Sequence, residues 1–171
     1  MAPRHVRSTL LGVCLAFVAA APALAQGESK PVAQFGDWSV YVSTSSPKVC
    51  YAISQPKKRA PSGLNRDPAY FFISTRPGEK VKNEVSVTVG FPIKSGSEAK
   101  VNVGSLSLGL YTKDNGAWVR NVSDEARLVD AMRKGSDLTF SSTSGRGNVT
   151  TDTYSLKGIS AALDRVAKEC N

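Results

Sequence analysis

Strict alternation of apolar and polar residues limits the middle of this chain to an antiparallel β fold. Valine occupies every second position of residues 84–89, and apolar residues keep that spacing at 101–103 and 106–110. Such alternation is typical of antiparallel strands with one face in the core and the other in water. An Asn-Gly pair within residues 114–116 predicts a hairpin turn. Five or six such strands predict a mainly β (α+β) domain, either an antiparallel β-sandwich or an open barrel.

Two stretches have helical spacing instead. Residues 123–134 begin with Ser123 as the predicted cap, carry acids in the first turn and bases in the last, and stop at a glycine. Near the C-terminus, apolar residues recur at steps of three and four from Leu156 to Cys170, with Ser155 as the predicted cap. The sequence therefore predicts two helices, of which the last packs on the sheet with Cys170 facing the core.

The N-terminus has the features of a Sec-type signal peptide. Basic residues precede the apolar run 10–21, and the sequence ALA at 23–25 is a small-residue cleavage site. We predict a cleaved signal peptide over residues 1–25, a flexible arm over residues 26–34 and a single domain over residues 35–171. A membrane anchor needs roughly 20 apolar residues, so no transmembrane segment is predicted in the mature chain.

Removal of the signal peptide leaves two cysteines and no histidine. His5 is the only histidine of the chain and Cys14 lies in the leader, so Cys50 and Cys170 remain. In an oxidising compartment two cysteines most simply form one disulfide, which here closes a loop of about 120 residues. Two buried thiols are the alternative. We predict a Cys50–Cys170 disulfide that tethers the last helix to the sheet.

The lack of histidine restricts the chemistry of the mature chain. It excludes Ser-His-Asp and Cys-His catalytic arrangements and the common zinc sites. We therefore predict no catalytic residue, no metal ligand and no cofactor, and we do not expect an enzyme. Carboxylates such as Asp37 and Asp152 leave a carboxylate-dependent hydrolase as a remote alternative. For Asp152, hydrogen bonds to local backbone or hydroxyl groups are the simpler expectation.

Basic residues outnumber acidic ones in the mature chain. Without the two arginines of the leader, the chain has 20 basic and 14 acidic residues, a net charge of +6. Such an excess favours anionic partners, although it also serves solubility alone. Nucleic acid is not a predicted partner, because the protein is exported and shows no interleaving of aromatic and basic residues.

The candidate binding surface lies in a basic stretch with three prolines and a glycine, residues 55–68, which is predicted to be irregular. It is either an anion-binding loop or a solvated connection. A second glycine-rich segment, residues 145–147, predicts a tight turn with an arginine at its tip. The candidate anion- or partner-binding residues are Lys57, Lys58, Arg59, Arg66 and Arg146.

Four segments carry a resemblance to a known family. They are FGDW at 35–38, CYAISQP at 50–56, AMRKG at 131–135 and TDTYSLKG at 151–158. Together with the export signal, they resemble the invasion-associated locus B family over nearly the whole mature chain. The resemblance implies a small exported envelope protein of double-membraned bacteria, one member being named for a role in host-cell entry. It supplies no catalytic residues.

These observations favour a non-enzymatic, exported protein of the periplasm or outer cell envelope that acts by binding. The expected partner is an anionic envelope component or an envelope protein. The alternative is a surface-displayed invasion or adhesion factor that contacts a host protein, and the carboxylate-dependent hydrolase is the remote third hypothesis. The ligand and the oligomeric state stay open at this stage.

Overall fold

The computed structural model describes residues 28–171 as an eleven-stranded sheet with two helices. The predicted signal peptide, residues 1–25, lies outside the described residues. The strands are β1 (Ser29–Phe35), β2 (Trp38–Ser43), β3 (Cys50–Ser54), β4 (Lys58–Ala60), β5 (Tyr70–Arg76), β6 (Val81–Thr88), β7 (Ala99–Val103), β8 (Leu106–Lys113), β9 (Gly116–Val119), β10 (Asp137–Thr143) and β11 (Val149–Ser155). The helices are α1 (Val122–Lys134) and α2 (Ile159–Glu169), with a 3₁₀ turn at Pro77–Glu79.

The strands form one continuous antiparallel sheet. Their order is β1-β2-β3-β5-β6-β9-β8-β7-β10-β11-β4, and each pairing between named strands is antiparallel. The sheet is open, with β1 at one edge and β4 at the other. The predicted mainly β, antiparallel fold is confirmed.

The sheet curls until its two halves face each other across one core. Phe71 of β5 meets Tyr154 of β11 with ring centroids 5.5 Å apart, although five strands separate β5 from β11 in the sheet. The indole N–H of Trp38 in β2 donates to the carbonyl oxygen of Ser155 at 2.9 Å. Because Trp38, Phe71 and Tyr154 are fully buried, they fix this curvature from inside the core.

Helix α1 begins just after Asn121 and not at the predicted cap. Asn121 is extended, and its side-chain oxygen accepts the N–H of Asp124 at 2.9 Å. The prediction of Ser123 as the cap is therefore wrong. Asparagine caps a helix as well as serine does, so the residue nearer the preceding strand takes the position. Leu128 and Met132 of this helix are fully buried in the core.

Helix α2 begins after Gly158, so the prediction of Ser155 as its cap is also wrong. Strand pairing with β10 continues to Ser155, and its hydroxyl accepts the N–H of Lys157 at 3.2 Å. Gly158 has a φ of +92°, and a Cβ at this position would collide with the carbonyl oxygen of Phe35. The chain therefore needs glycine where it turns from strand to helix.

The Cys50–Cys170 disulfide joins β3 to the end of α2, as predicted. The Cα atoms of the two cysteines are 5.9 Å apart. The helix packs on β1, β2, β3 and β5 and buries the side chains of Ile159, Leu163 and Val166. The prediction of a last helix that lies on the sheet and is tethered by a disulfide is confirmed.

Strand β1 occupies most of the segment predicted to be a flexible arm. It pairs with β2 from Ser29 to Phe35, and Val32 and Ala33 pack against the core. Pro31 lies beside an irregularity in the pairing register. An edge strand with such an irregularity tolerates proline, because a missing N–H there breaks no inner ladder. Residues 29–34 contain too few apolar residues for the sequence to predict a strand here.

Helix α1 also buries a carboxyl group. The side chain of Glu125 lies against β6, where its Oε1 accepts the N–H of Val85 at 3.1 Å. Burial raises the pKa of this carboxyl, and the hydrogen bond from Val85 offsets only part of the rise. Stability should therefore depend on pH through this group.

We expect Glu125→Gln to stabilise the protein relative to the parent by an amount that grows with pH. The folded state holds the carboxyl proton more tightly than the unfolded state, so the parent loses stability as pH rises through the raised native pKa. Glutamine still offers an oxygen to Val85 but has no charge to bury. Urea unfolding midpoints from about pH 4 to pH 8 check this expectation. A difference between the two proteins that stays constant with pH would contradict it.

Candidate functional site

A cleft of about 420 Å³ lies at one end of the sheet. It is enclosed by residues 64–67, by residues 90–92 after β6, and by the turn between β10 and β11. Arg66 and Arg146 both line it. These arginines are far apart in the sequence and both belong to the predicted binding residues. We call this space the arginine cleft.

Two hydrogen bonds within the turn that carries Arg146, and one to the segment after β6, hold this turn in place. The hydroxyl of Ser144 accepts the N–H of Asn148 at 3.1 Å, and the N–H of Gly147, whose φ is +86°, donates to the carbonyl oxygen of Ser144 at 2.8 Å. The N–H of Gly145 donates to the carbonyl oxygen of Pro92 at 2.8 Å. The predicted tight turn is thus present, and it holds Arg146 at the rim of the cleft.

A buried cluster of Arg59, Arg66 and Asp152 lies beside the cleft, and Arg66 belongs to both. Arg66 Nη1 lies 3.1 Å from Asp152 Oδ1, and Arg59 Nε lies 3.4 Å from Asp152 Oδ2. The side chains of Asp152 and Arg66 are only 3% and 6% exposed. Asp152 is therefore bound by two guanidinium groups from residues 55–68. The prediction that it bonds to local backbone or hydroxyl groups is wrong.

Arg59 also binds the backbone around the cleft. Its Nη1 donates to the carbonyl oxygen of Asp67 at 2.8 Å and its Nη2 to that of Val89 at 3.0 Å. The adjacent N–H of Asp67 donates to the carbonyl oxygen of Gly90 at 3.0 Å. Arg59 thus positions the two segments that enclose the cleft and has few donors left for a ligand.

Part of the predicted irregular loop is a strand. Lys58–Ala60 forms β4, which pairs with β11 through the register Arg59↔Asp152. The prolines at 56 and 61 flank this strand without interrupting it, which is why a pattern based on proline missed it. The pairing brings Arg59 to Asp152 directly.

Charges in the arginine cleft are unbalanced towards positive. With its carboxylate ionised, Asp152 offsets one of the two guanidinium charges beside it. Burial raises the pKa of Asp152, and the two arginines oppose that rise. Arg146 is exposed and forms no ion pair with the residues of the described chain, 28–171. The carboxylate of Asp67 also lines the cleft. The two acids, Asp67 and Asp152, thus offset two of the three arginine charges, and the cleft keeps a net charge of +1 with the unpaired guanidinium of Arg146 at its rim.

The remaining predicted residues lie elsewhere. Lys57 pairs with Asp37 through its ammonium group, and this hydrogen bond, followed by one from Ser155, lowers the pKa of the Asp37 carboxyl. Lys58 is exposed on the edge strand β4. Asp37 and Asp152 are thus each bound to cations and not to each other, so the structure shows no pair of facing carboxylates at these two positions.

Two further features bear on the kind of site present. Within residues 28–171, no group of three or more His, Cys, Asp or Glu side chains could hold a metal ion. In the same range, no helix has the length and apolar character needed to cross a membrane.

Fold and cleft together define a class: a mainly β protein with one open antiparallel sheet, a helix bound to it by a long-range disulfide, and a cationic cleft. The family model described as Invasion associated locus B (IalB) protein matches residues 38–167. The chain belongs to this family, which confirms the resemblance seen in the sequence. Comparison with curated proteins and with solved structures found no match.

Proposed function

We propose that this protein is an exported, envelope-associated binding protein without enzymatic activity, and that the arginine cleft binds an anionic group of an envelope component. The observation that carries this proposal is the convergence of Arg66 and Arg146 on one cleft. Export has two supports: the leader features of residues 1–25 and the Cys50–Cys170 bond, which suits an oxidising compartment.

The shape and chemistry of the cleft suit a single charged group with an attached uncharged portion. A guanidinium fork such as that of Arg146 matches a carboxylate or phosphate with two parallel hydrogen bonds. Phe91 adds an apolar wall, and Asn148 adds an exposed polar group. A volume of about 420 Å³ lies in the range of pockets that hold small ligands or head groups. The ligand class is thus a phosphate- or carboxylate-bearing envelope molecule.

We expect Arg146→Glu to weaken binding of the purified mature protein to isolated envelope fractions by about tenfold or more, since it replaces the free cation with a repelling charge. Co-sedimentation across a salt titration measures this. Binding of the parent should fall steeply between about 0.01 M and 1 M salt, where screening shortens from about 30 Å to 3 Å. The melting temperature should stay unchanged, because Arg146 is exposed.

Lys168→Glu is the matched control, since it makes the same charge reversal at an exposed position on α2. It should leave sedimentation close to that of the parent. Equal losses for both variants would mean that net charge alone drives binding, and no loss for Arg146→Glu would remove the arginine cleft from the proposal.

The alternative of a surface-displayed adhesion factor that contacts a host protein has its support in the description of the family. The two hypotheses differ in their expectation for intact cells. A periplasmic protein is protected from added protease until the outer membrane is opened, whereas a displayed one is digested at once.

A further inference from the structure

The outer face of the sheet carries a group of aromatic side chains that the arginine cleft does not use. Tyr41 of β2 stacks on Tyr51 of β3 with centroids 5.4 Å apart and planes 6° from parallel. Phe72 of β5 lies 5.9 Å from Tyr51 and 6.1 Å from Tyr70. All four are half-buried, and they alternate with core-facing neighbours such as Phe71. The rings therefore form a band on the solvent side of the sheet.

A second cleft of about 420 Å³ opens beside this band, between β1, β2, β3 and β5. Tyr41 and Tyr70 contribute its aromatic walls, and Gln34, Asp37 and Gln55 contribute planar polar groups. We call it the tyrosine cleft.

Three polar groups of the tyrosine cleft are free to bind a ligand, whereas the amide of Gln34 donates to the carbonyl oxygen of Gly36 at 3.4 Å. The side chain of Gln55 makes no hydrogen bond within residues 28–171, and neither do the hydroxyls of Tyr41 and Tyr70. Asp37 is already paired with Lys57, which leaves little net charge. The cleft thus combines ring faces, amide groups and a neutralised ion pair.

We infer that the tyrosine cleft is a binding site for an uncharged oligosaccharide. A pyranose ring has an apolar C–H face that stacks on an aromatic ring, and hydroxyls at its edge that pair with amides, carboxylates and phenols. An anionic ligand gains little here because Lys57 is neutralised. A purely apolar ligand would leave the amide of Gln55 and the tyrosine hydroxyls without partners.

The aromatic band extends far enough across the sheet for several sugar rings. In strand register, Phe72 lies opposite Ser86, Ser86 opposite Trp118, and Trp118 opposite Tyr111. Trp118 and Tyr111 stack with centroids 5.4 Å apart. From Tyr41 on β2 to Tyr111 on β8, the aromatic side chains span five strand spacings, or about 24 Å, with Ser86 between Phe72 and Trp118. The site therefore favours an extended glycan over a single sugar.

The test is binding of two probes to the purified mature protein, followed by NMR chemical shifts or calorimetry. The probes are tetramers of β-linked N-acetylglucosamine and of β-linked glucose, whose equatorial substituents leave both ring faces free to stack. We expect at least one tetramer to bind more tightly than its monomer, with shifts concentrated on β2, β3 and β5. Binding of neither tetramer up to about 10 mM, a free energy of less than about 3 kcal/mol, would overturn the inference.

Two variants separate a sugar site from a structural role of the rings. Tyr70→Ala removes a ring and should weaken probe binding at least tenfold, while Tyr70→Phe keeps the ring and should retain most of it. Gln55→Ala changes an exposed side chain, so it should leave the melting temperature unchanged, and it should also weaken binding. Two results together would show that the rings only pack on each other. Tyr70→Ala would lose stability, and both Tyr70→Ala and Gln55→Ala would still bind the probes as tightly as the parent.

The same experiment is independent of the arginine cleft. Arg146→Glu should leave affinity for the tetramers unchanged, because Arg146 does not line the tyrosine cleft. A parallel loss of tetramer binding in Arg146→Glu would place the sugar in the arginine cleft and contradict the inference.

Discussion

Reduction of the Cys50–Cys170 disulfide is expected to lower the free energy of unfolding by about 4–5 kcal/mol. The bond joins residues 120 positions apart, so without it the unfolded chain regains the conformational entropy that closing this loop removes. A typical domain is stable by only about 5–15 kcal/mol. The reduced protein should therefore sit close to its unfolding threshold. Urea denaturation of the oxidised and reduced forms measures the difference.

The double variant Cys50→Ala/Cys170→Ala is the control for incomplete reduction, because both cysteines are buried and a reductant reaches them slowly. Its free energy of unfolding should fall by about as much as that of the reduced parent, and slightly more because the alanines fill less of the core. Envelope binding should persist under mild conditions where the reduced protein stays folded, since the residues that line the cleft lie outside α2. A loss below about 1 kcal/mol would mean that packing of α2 alone holds the helix in place.

Features set by local pattern were predictable from the sequence. Alternation at residues 84–89 indicated the strands, and three- and four-residue spacing from Leu156 indicated the last helix. Removal of the predicted signal peptide would leave only two cysteines, so each had one possible partner. Cap residues were not predictable with the same accuracy. Asn121 and Ser123 are both good caps, and which one is used depends on where the preceding strand ends.

The buried cluster could not be predicted, because its members lie far apart in the sequence. Arg59 and Asp152 are 93 residues apart, and Arg66 and Asp152 are 86 apart. One signal was available nevertheless. Asp152 and Tyr154 are two positions apart in the same strand, so both side chains lie on the face of the strand that is turned to the core. An acid at such a position needs a buried cation, and nothing in the local pattern singles out Arg59 and Arg66 among the arginines of the chain.

Asp152→Ala is expected to destabilise the protein by about 3–5 kcal/mol, because it leaves the buried guanidinium of Arg66 without its counter-charge. The side chain of Arg59, 24% exposed, is closer to water and should contribute less of this loss. Chemical unfolding at neutral pH measures the change. Residues 64–67 should become mobile first. Arg59 binds the carbonyl oxygen of Asp67, and Arg66 is itself tied to β11 by its ion pair with Asp152.

Asp164→Ala is the matched control on the surface. Asp164 lies 2.9 Å from Arg133 but is 71% exposed, so its loss should change stability by less than about 1 kcal/mol.

Adding Arg66→Met to Asp152→Ala should recover part of the loss, because it removes the unpaired buried cation and fills its volume with an apolar chain. If Asp152→Ala is as mild as Asp164→Ala, water reaches the cluster freely and its charges are screened. If Arg66→Met instead deepens the loss, Arg66 stabilises the loop through its bond to the Pro61 carbonyl more than through Asp152.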